Sequence, residues 1–127
     1  MSDRKVVDLD SCFAAFDELW APRTVATMND YDVRVVKVQG EFVWHHHEDT
    51  DELFLVTEGR LTIDLEQGDA VELGPGEIFV VPAGEAHRPR ADELTKALLL
   101  EPSNVVNTGS AQGSSLTAER LILDEGA

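Results

Sequence analysis

The chain has 127 residues, 43% apolar and 28% charged, which suits one compact domain with a hydrophobic core of its own. Its 25 acids against 10 bases give a formal net charge of −15, a surface that repels phosphate backbones and anionic membranes and so speaks against nucleic-acid or membrane-surface binding. A single cysteine, Cys12, excludes an internal disulfide, and with no signal-type or membrane-spanning apolar run a cytoplasmic protein is expected.

Residues 8–20 read as a short amphipathic helix. Leu9, Phe13, Phe16 and Trp20 recur at spacings of four, three and four and so share a face. Asp10 or Ser11 is placed to cap its start, and Pro22 follows its end. The stripe is expected to lie over a sheet or across a subunit boundary, with Cys12 beside it as a small buried residue. Short strands follow, over residues 31–39, 41–47, 53–57, 60–65, 70–73, 78–81, 86–90 and 95–100. Gly40, Glu58-Gly59, Gln67-Gly68-Asp69, Gly74-Pro75-Gly76 and Pro82-Ala83-Gly84 punctuate them. With no second long helical pattern between them, the chain is expected to be all-β, a sandwich or barrel. Beyond Pro102 the composition loosens, and residues 116–123 are expected to add a last strand or an arm. The divisions expected are an N-terminal arm and helix over 1–30, a barrel over 31–102, and a C-terminal segment over 103–127 that packs on the barrel or frays.

The chemistry gathers around three consecutive histidines. Side chains alternate along a strand, so His45 and His47 share one face and His46 takes the other. The acidic stretch 48–51 reads as a solvated loop, lacking the glycine and distal glutamate of a calcium loop, and it resets the alternation. Glu52 then opens the next strand on the His47 side of a hairpin. Phe54 and Val56 share its face and are expected to line a small-molecule pocket, while Leu53 and Leu55 point the other way. By the same alternation Phe42 and Trp44 lie opposite the ligand face as packing residues. His87, after the turn at 82–85, is a fourth candidate if its strand faces the hairpin. Arg88 and Arg90 share a face opposite His87. Three imidazoles and one carboxylate suit iron, manganese, nickel, copper or zinc better than magnesium or calcium. No serine or cysteine stands by a histidine as a nucleophilic triad requires.

The run from Gly40 through His45, His47 and Glu52 to Gly59 resembles the first motif of the cupin superfamily, and the run from Gly76 through Pro82 and Gly84 to His87 resembles the second. The short stretch between them is similar to that of small single-domain bacterial cupins. The resemblance implies an antiparallel jelly-roll β-barrel and one divalent transition metal held by His45, His47, Glu52 and His87. Ala91 departs from the pattern, standing where the second motif usually has asparagine. The function implied is a metal-dependent enzyme, an oxygenase or isomerase, acting on a small organic molecule. The alternative is a non-catalytic cupin module that binds metal or a small ligand, since no general base stands out besides the ligands. Sugar-phosphate isomerisation is disfavoured because no Lys/Arg cluster lies near the four residues. A homodimer is expected, because Leu53 and Leu55 need a cover that one small barrel does not provide.

Overall fold

A single sixteen-residue strand organises the molecule. The structure, a computed structural model, describes residues 6–123. Its elements are α1 (Leu9–Ala14), β1 (Arg23–Met28), β2 (Tyr31–Glu41), β3 (Glu52–Glu58), β4 (Leu61–Leu65), β5 (Val71–Leu73), β6 (Ile78–Val81), β7 (His87–Pro102) and β8 (Leu121–Ile122). β7 pairs with β4 near its start, with β2 along most of its length and with β3 over its second half. The ladder runs β5-β4-β7-β2-β1-β8, and β3 joins β7 to β6. Every pair is antiparallel except β1 with β8. Among the described residues the ladder is not closed into a ring.

The all-β expectation holds, with three corrections to its strands. The segments 86–90 and 95–100 are one strand: Asp92, Glu93 and Leu94 are polar or exposed, yet the ladder with β2 resumes across a bulge between Val38 and Gly40. Residues 41–47 do not form a regular strand, for β2 ends at Glu41 and only His45 makes an isolated bridge, to His87. β1, unread in the sequence, hairpins onto β2 through Asn29, whose φ of +56° is a left-handed turn geometry that asparagine tolerates.

The helix is shorter than its apolar spacing suggests. Six residues form little helix alone, so packing must hold it. Asp8, not Asp10 or Ser11, is the cap, accepting from Asp10 N and Ser11 Oγ at 3.1 Å each. After Ala15 the backbone turns to β2 for partners: Lys37 Nζ donates to Phe16 O at 2.6 Å, and Trp20 N to Lys37 O at 2.9 Å. The predicted apolar face therefore divides. Phe13 and Phe16 join Cys12, Val25 and Val35 in a cluster on the outer side of β1 and β2, with Leu9 against it. Trp20, at a left-handed φ of +60°, belongs to the inner core with Val36, Val38, Phe42, Phe54 and Leu99. β2 is thus buried on both faces, which suits its nearly unbroken valine run.

Gly59 sets the β3–β4 turn at φ +91°, and a Cβ there would lie 2.5 Å from Thr95 Oγ1 and 2.9 Å from the Leu94 carbonyl oxygen. Gly59→Ala is expected to cost about 2–3 kcal/mol in urea unfolding, from backbone strain plus the collision. A loss under about 0.5 kcal/mol would show that the turn has another conformation.

Candidate metal centre

His45, His47, Glu52 and His87 meet inside the fold. Their candidate ligand atoms all lie within 4.8 Å of one another, and all four side chains are buried. Glu52 opens β3 and His87 opens β7, while His45 and His47 come from the irregular segment between β2 and β3. That segment is zipped to the stretch before β7, not to β3 as the hairpin reading expected. His45 N donates to His87 O at 3.0 Å, His87 N to His45 O at 2.9 Å, and Gly84 N to His47 O at 2.8 Å. Glu52 arrives instead on a strand paired with β6 and β7. Loop 48–51 is long enough to let the chain change neighbours, which a tight hairpin turn is not.

The rings are oriented by backbone carbonyls. His45 Nδ1 donates to Val43 O at 3.0 Å and His87 Nδ1 to Glu85 O at 2.9 Å, the same two-residue step in both. With the proton on Nδ1, each Nε2 keeps its lone pair for the centre. His87 Nε2 lies 3.2 Å and His47 Nε2 3.4 Å from Glu52 Oε1. Donors about 2.0–2.2 Å from one transition-metal ion lie roughly 3 Å apart when adjacent, so these separations fit a shared ion. His47 Nε2 is buried with no hydrogen-bond partner, an orphaned atom that a metal would satisfy. The residues present therefore fit the metal.

Electrostatics favour the same state. Burial, with His87 beside it, pushes His45 down to about 4, so its ring is neutral at pH 7. Burial alone would raise Glu52, but His47 and His87 beside it outweigh it and hold the carboxyl well below the usual range. Glu101, unsuspected in the sequence, is pushed well above its ordinary value by burial and by Glu52 alongside. Its signal was available only through register: Leu53 pairs with Leu100, which sets Glu52 against Glu101.

The centre separates two spaces. On the inner side, His45 and Glu52 border a small cavity of about 40 Å³, partly open to solvent. Its other walls include Trp20, Phe42, Phe54 and Leu99, and no lysine or arginine lines it. Phe54 is among its walls, whereas Val56, fully buried, packs in the same core off the lining. Phe42 corrects the alternation reading: it lines the cavity, edge-on to His45 at 5.3 Å and stacked on Trp20 at 4.8 Å. Alternation fails there because the chain has left strand geometry. Trp44 is exposed, with Arg88 5.4 Å from its ring. Arg88 and Arg90 turn from the cavity to Asp64, at 2.9 Å each. On the outer side, His46 faces a polar groove, bound to Glu48 Oε1 at 2.8 Å and Ser110 Oγ at 3.0 Å. Gly109, at φ +50°, sits so close that a Cβ would strike the His46 carbonyl oxygen and come within 3.0 Å of the His47 ring.

Strands around three buried imidazoles and one carboxylate define a β-rich domain with a cluster in its core able to bind a metal. The chain belongs to the cupin family, whose Cupin domain profile matches residues 33–102. It is 45% identical to a cupin-2 domain containing protein from Shewanella frigidimarina NCIMB 400, with a TM-score of 0.74, over 76% of this chain and 94% of that one. Protein NMB1881 from Neisseria meningitidis is 29% identical, with a TM-score of 0.72, over 78% and 100%. The uncharacterized protein YdbB of Bacillus subtilis strain 168 is 38% identical over 78 residues, 61% of this chain and 69% of that protein. Hydroquinone 1,2-dioxygenase from Sphingomonas sp. TTNP3, at 21% identity and a TM-score of 0.68, shares the fold over 32% of its own length. No described helix is long and apolar enough to cross a membrane.

The His45 shift makes a pH-dependent prediction for metal-free protein. An unfolded histidine takes its proton near pH 6.5 and the folded one only near 4, so His45 costs stability as pH falls through that window. Glu101, raised in the fold, acts in the opposite sense and cancels in a comparison with His45→Asn. Between pH 6.5 and 5 the wild type is expected to lose about 1.5 kcal/mol relative to that variant in urea unfolding with chelator. Parallel curves would contradict the shift.

Proposed function

We propose that the protein holds one divalent transition-metal ion through His45, His47, Glu52 and His87 and is a metal-dependent enzyme, an oxygenase or isomerase, acting on a small uncharged organic molecule. The observation that carries this is the orphaned, buried His47 Nε2 facing a carboxylate among three imidazoles. When bound, such an ion polarises an oxygen atom or acidifies water at positions that four protein donors leave open. The chain's own part is orientation and exclusion. The Val43 and Glu85 carbonyls fix two rings, and Trp20, Phe42 and Phe54 keep water from the inner face. The absence of a cation along the cavity disfavours phosphorylated or carboxylated substrates. Membership of the cupin family supports the metal, and the curled sheet supports reading the cradle as a jelly-roll barrel. The second reading, a non-catalytic metal- or ligand-binding module, is favoured by the burial of all four donors beside so apolar a cavity.

Elemental analysis of protein purified without added metal is expected to find near one transition-metal ion per chain, and His47→Ala to lose it while keeping the wild-type circular dichroism. A metal-free wild type that also refuses added Mn(II), Co(II) and Zn(II) would defeat the reading. Turnover of uncharged organic substrates, with and without oxygen, then separates enzyme from module.

We also propose a homodimer across the outer face of β6, β3 and β7. There the register lines up Val80, Leu53 and Leu100 in one row and Ile78, Leu55 and Leu98 in the next. Ile78 and Val80 are 59% and 43% exposed, and a contiguous exposed apolar patch is the mark of an interaction surface. Sedimentation is expected to give a dimer at micromolar concentration and a monomer for Ile78→Lys with Val80→Glu. A monomeric wild type would overturn the proposal.

A further inference from the structure

Two acidic side chains stand directly opposite each other in the interior. Leu53 pairs with Leu100 on antiparallel β3 and β7, which sets Glu52 against Glu101. Glu101 has no exposed surface and Glu52 is 4% exposed. Like charges opposed on neighbouring strands repel, and burial removes the screening that water would supply. Glu101 is nonetheless firmly placed. Arg34 Nη1 donates to Glu101 Oε1 at 2.8 Å, and Arg34 is itself held by Asp32, at 3.2 Å, and by the carbonyls of Ser103 and Val105, at 3.0 and 2.9 Å. Asp32 in turn accepts from Thr24 Oγ1 at 2.9 Å and from Arg120 Nε at 2.7 Å. Four side chains from two strands and the C-terminal segment thus fix one carboxyl group. Its second oxygen, Oε2, is buried and meets no N–H or O–H donor. A single hydrogen shared with the Glu52 carboxylate would use that oxygen and remove the repulsion.

We propose that Glu101, anchored by Arg34, is a positioning residue that hydrogen-bonds the Glu52 carboxylate and holds its Oε1 toward His47 and His87. This rests on reading Glu52 as a metal ligand. A partner behind a ligating carboxylate sets its orientation, and loss of such a partner commonly weakens metal binding by about 10–100-fold. Glutamine can serve in its place, because its carbonyl accepts from Arg34 while its amide donates to Glu52. Methionine, of similar length, does neither.

The test is Co(II) affinity of the full chain by chelator competition, with the visible absorption of the bound ion as a report on its geometry. Glu101→Gln is expected to keep the dissociation constant within about threefold and leave the spectrum unchanged, and Glu101→Met to weaken binding about 10–100-fold and shift the bands. Wild-type affinity and spectrum in Glu101→Met, with only its urea stability reduced, would make Glu101 a purely structural partner of Arg34 and overturn the proposal. So would a Glu101→Gln as weak as Glu101→Met. Should Glu101→Met not fold, Glu101→Asp keeps an acid within reach of Arg34 but falls one methylene short of Glu52. It is expected to bind at least about tenfold more weakly, and unchanged affinity there overturns the proposal as well. A wild type that binds no Co(II) defeats the metal reading itself, a result distinct from any of these.

Discussion

A carboxylate and three imidazoles are withdrawn from water at one end of the core, and much of the fold can be understood as meeting that demand. Buried groups of this kind are costly unless each finds a partner. Two of the rings find main-chain carbonyls two residues back, Val43 for His45 and Glu85 for His87. Those carbonyls are available because the segment carrying His45 is not a full member of the sheet. It meets β7 through a bridge at His87 and a bond from Phe42 N to Pro89 O, and elsewhere its backbone turns toward the rings. The irregularity is thus part of how the donors are aimed. The long β7 supplies the reference against which the irregular segment is set.

The two faces of β2 show how one strand serves both stability and chemistry. Val36 and Val38 face the core beside the centre, while Val35 packs beneath the helix with Cys12, Phe13 and Phe16. Lys37, on the helix side, spans its chain across the Phe16 ring at 5.2 Å and gives its ammonium to the Phe16 carbonyl. Asp32 and Arg34, on the inner side, continue the polar strip that ends at Glu101. Apolar closure above and charge pairing below therefore share one backbone.

Much of the site was legible from the chain, because its signals are local. A histidine pair two apart, a carboxylate after a loop, and a histidine after a Pro-Ala-Gly turn each read out from a few residues, and turn residues marked most strands. What was not legible depends on register or on departures from regular geometry. Phe42 was assigned to the wrong side because alternation holds only while the chain stays a strand, and β2 ends at Glu41. Trp20 parted from Phe13 and Phe16 because helical spacing says nothing once the helix has stopped at Ala14. Glu101 carries no local signal in a strongly acidic protein. Only the pairing of Leu53 with Leu100 reveals what it faces.

Gly109 carries a lesson about where this protein ends as a working unit. The family profile stops at residue 102, yet the backbone of Gly109 rests on the His47 ring, and Ser110 bonds both the main chain and the ring of His46. Arg120, further on, braces Asp32 and through it Arg34. The recognisable module is therefore a scaffold missing its roof. Relatives sharing the four donors but differing in their tails can be expected to share a cradle and diverge in what reaches it.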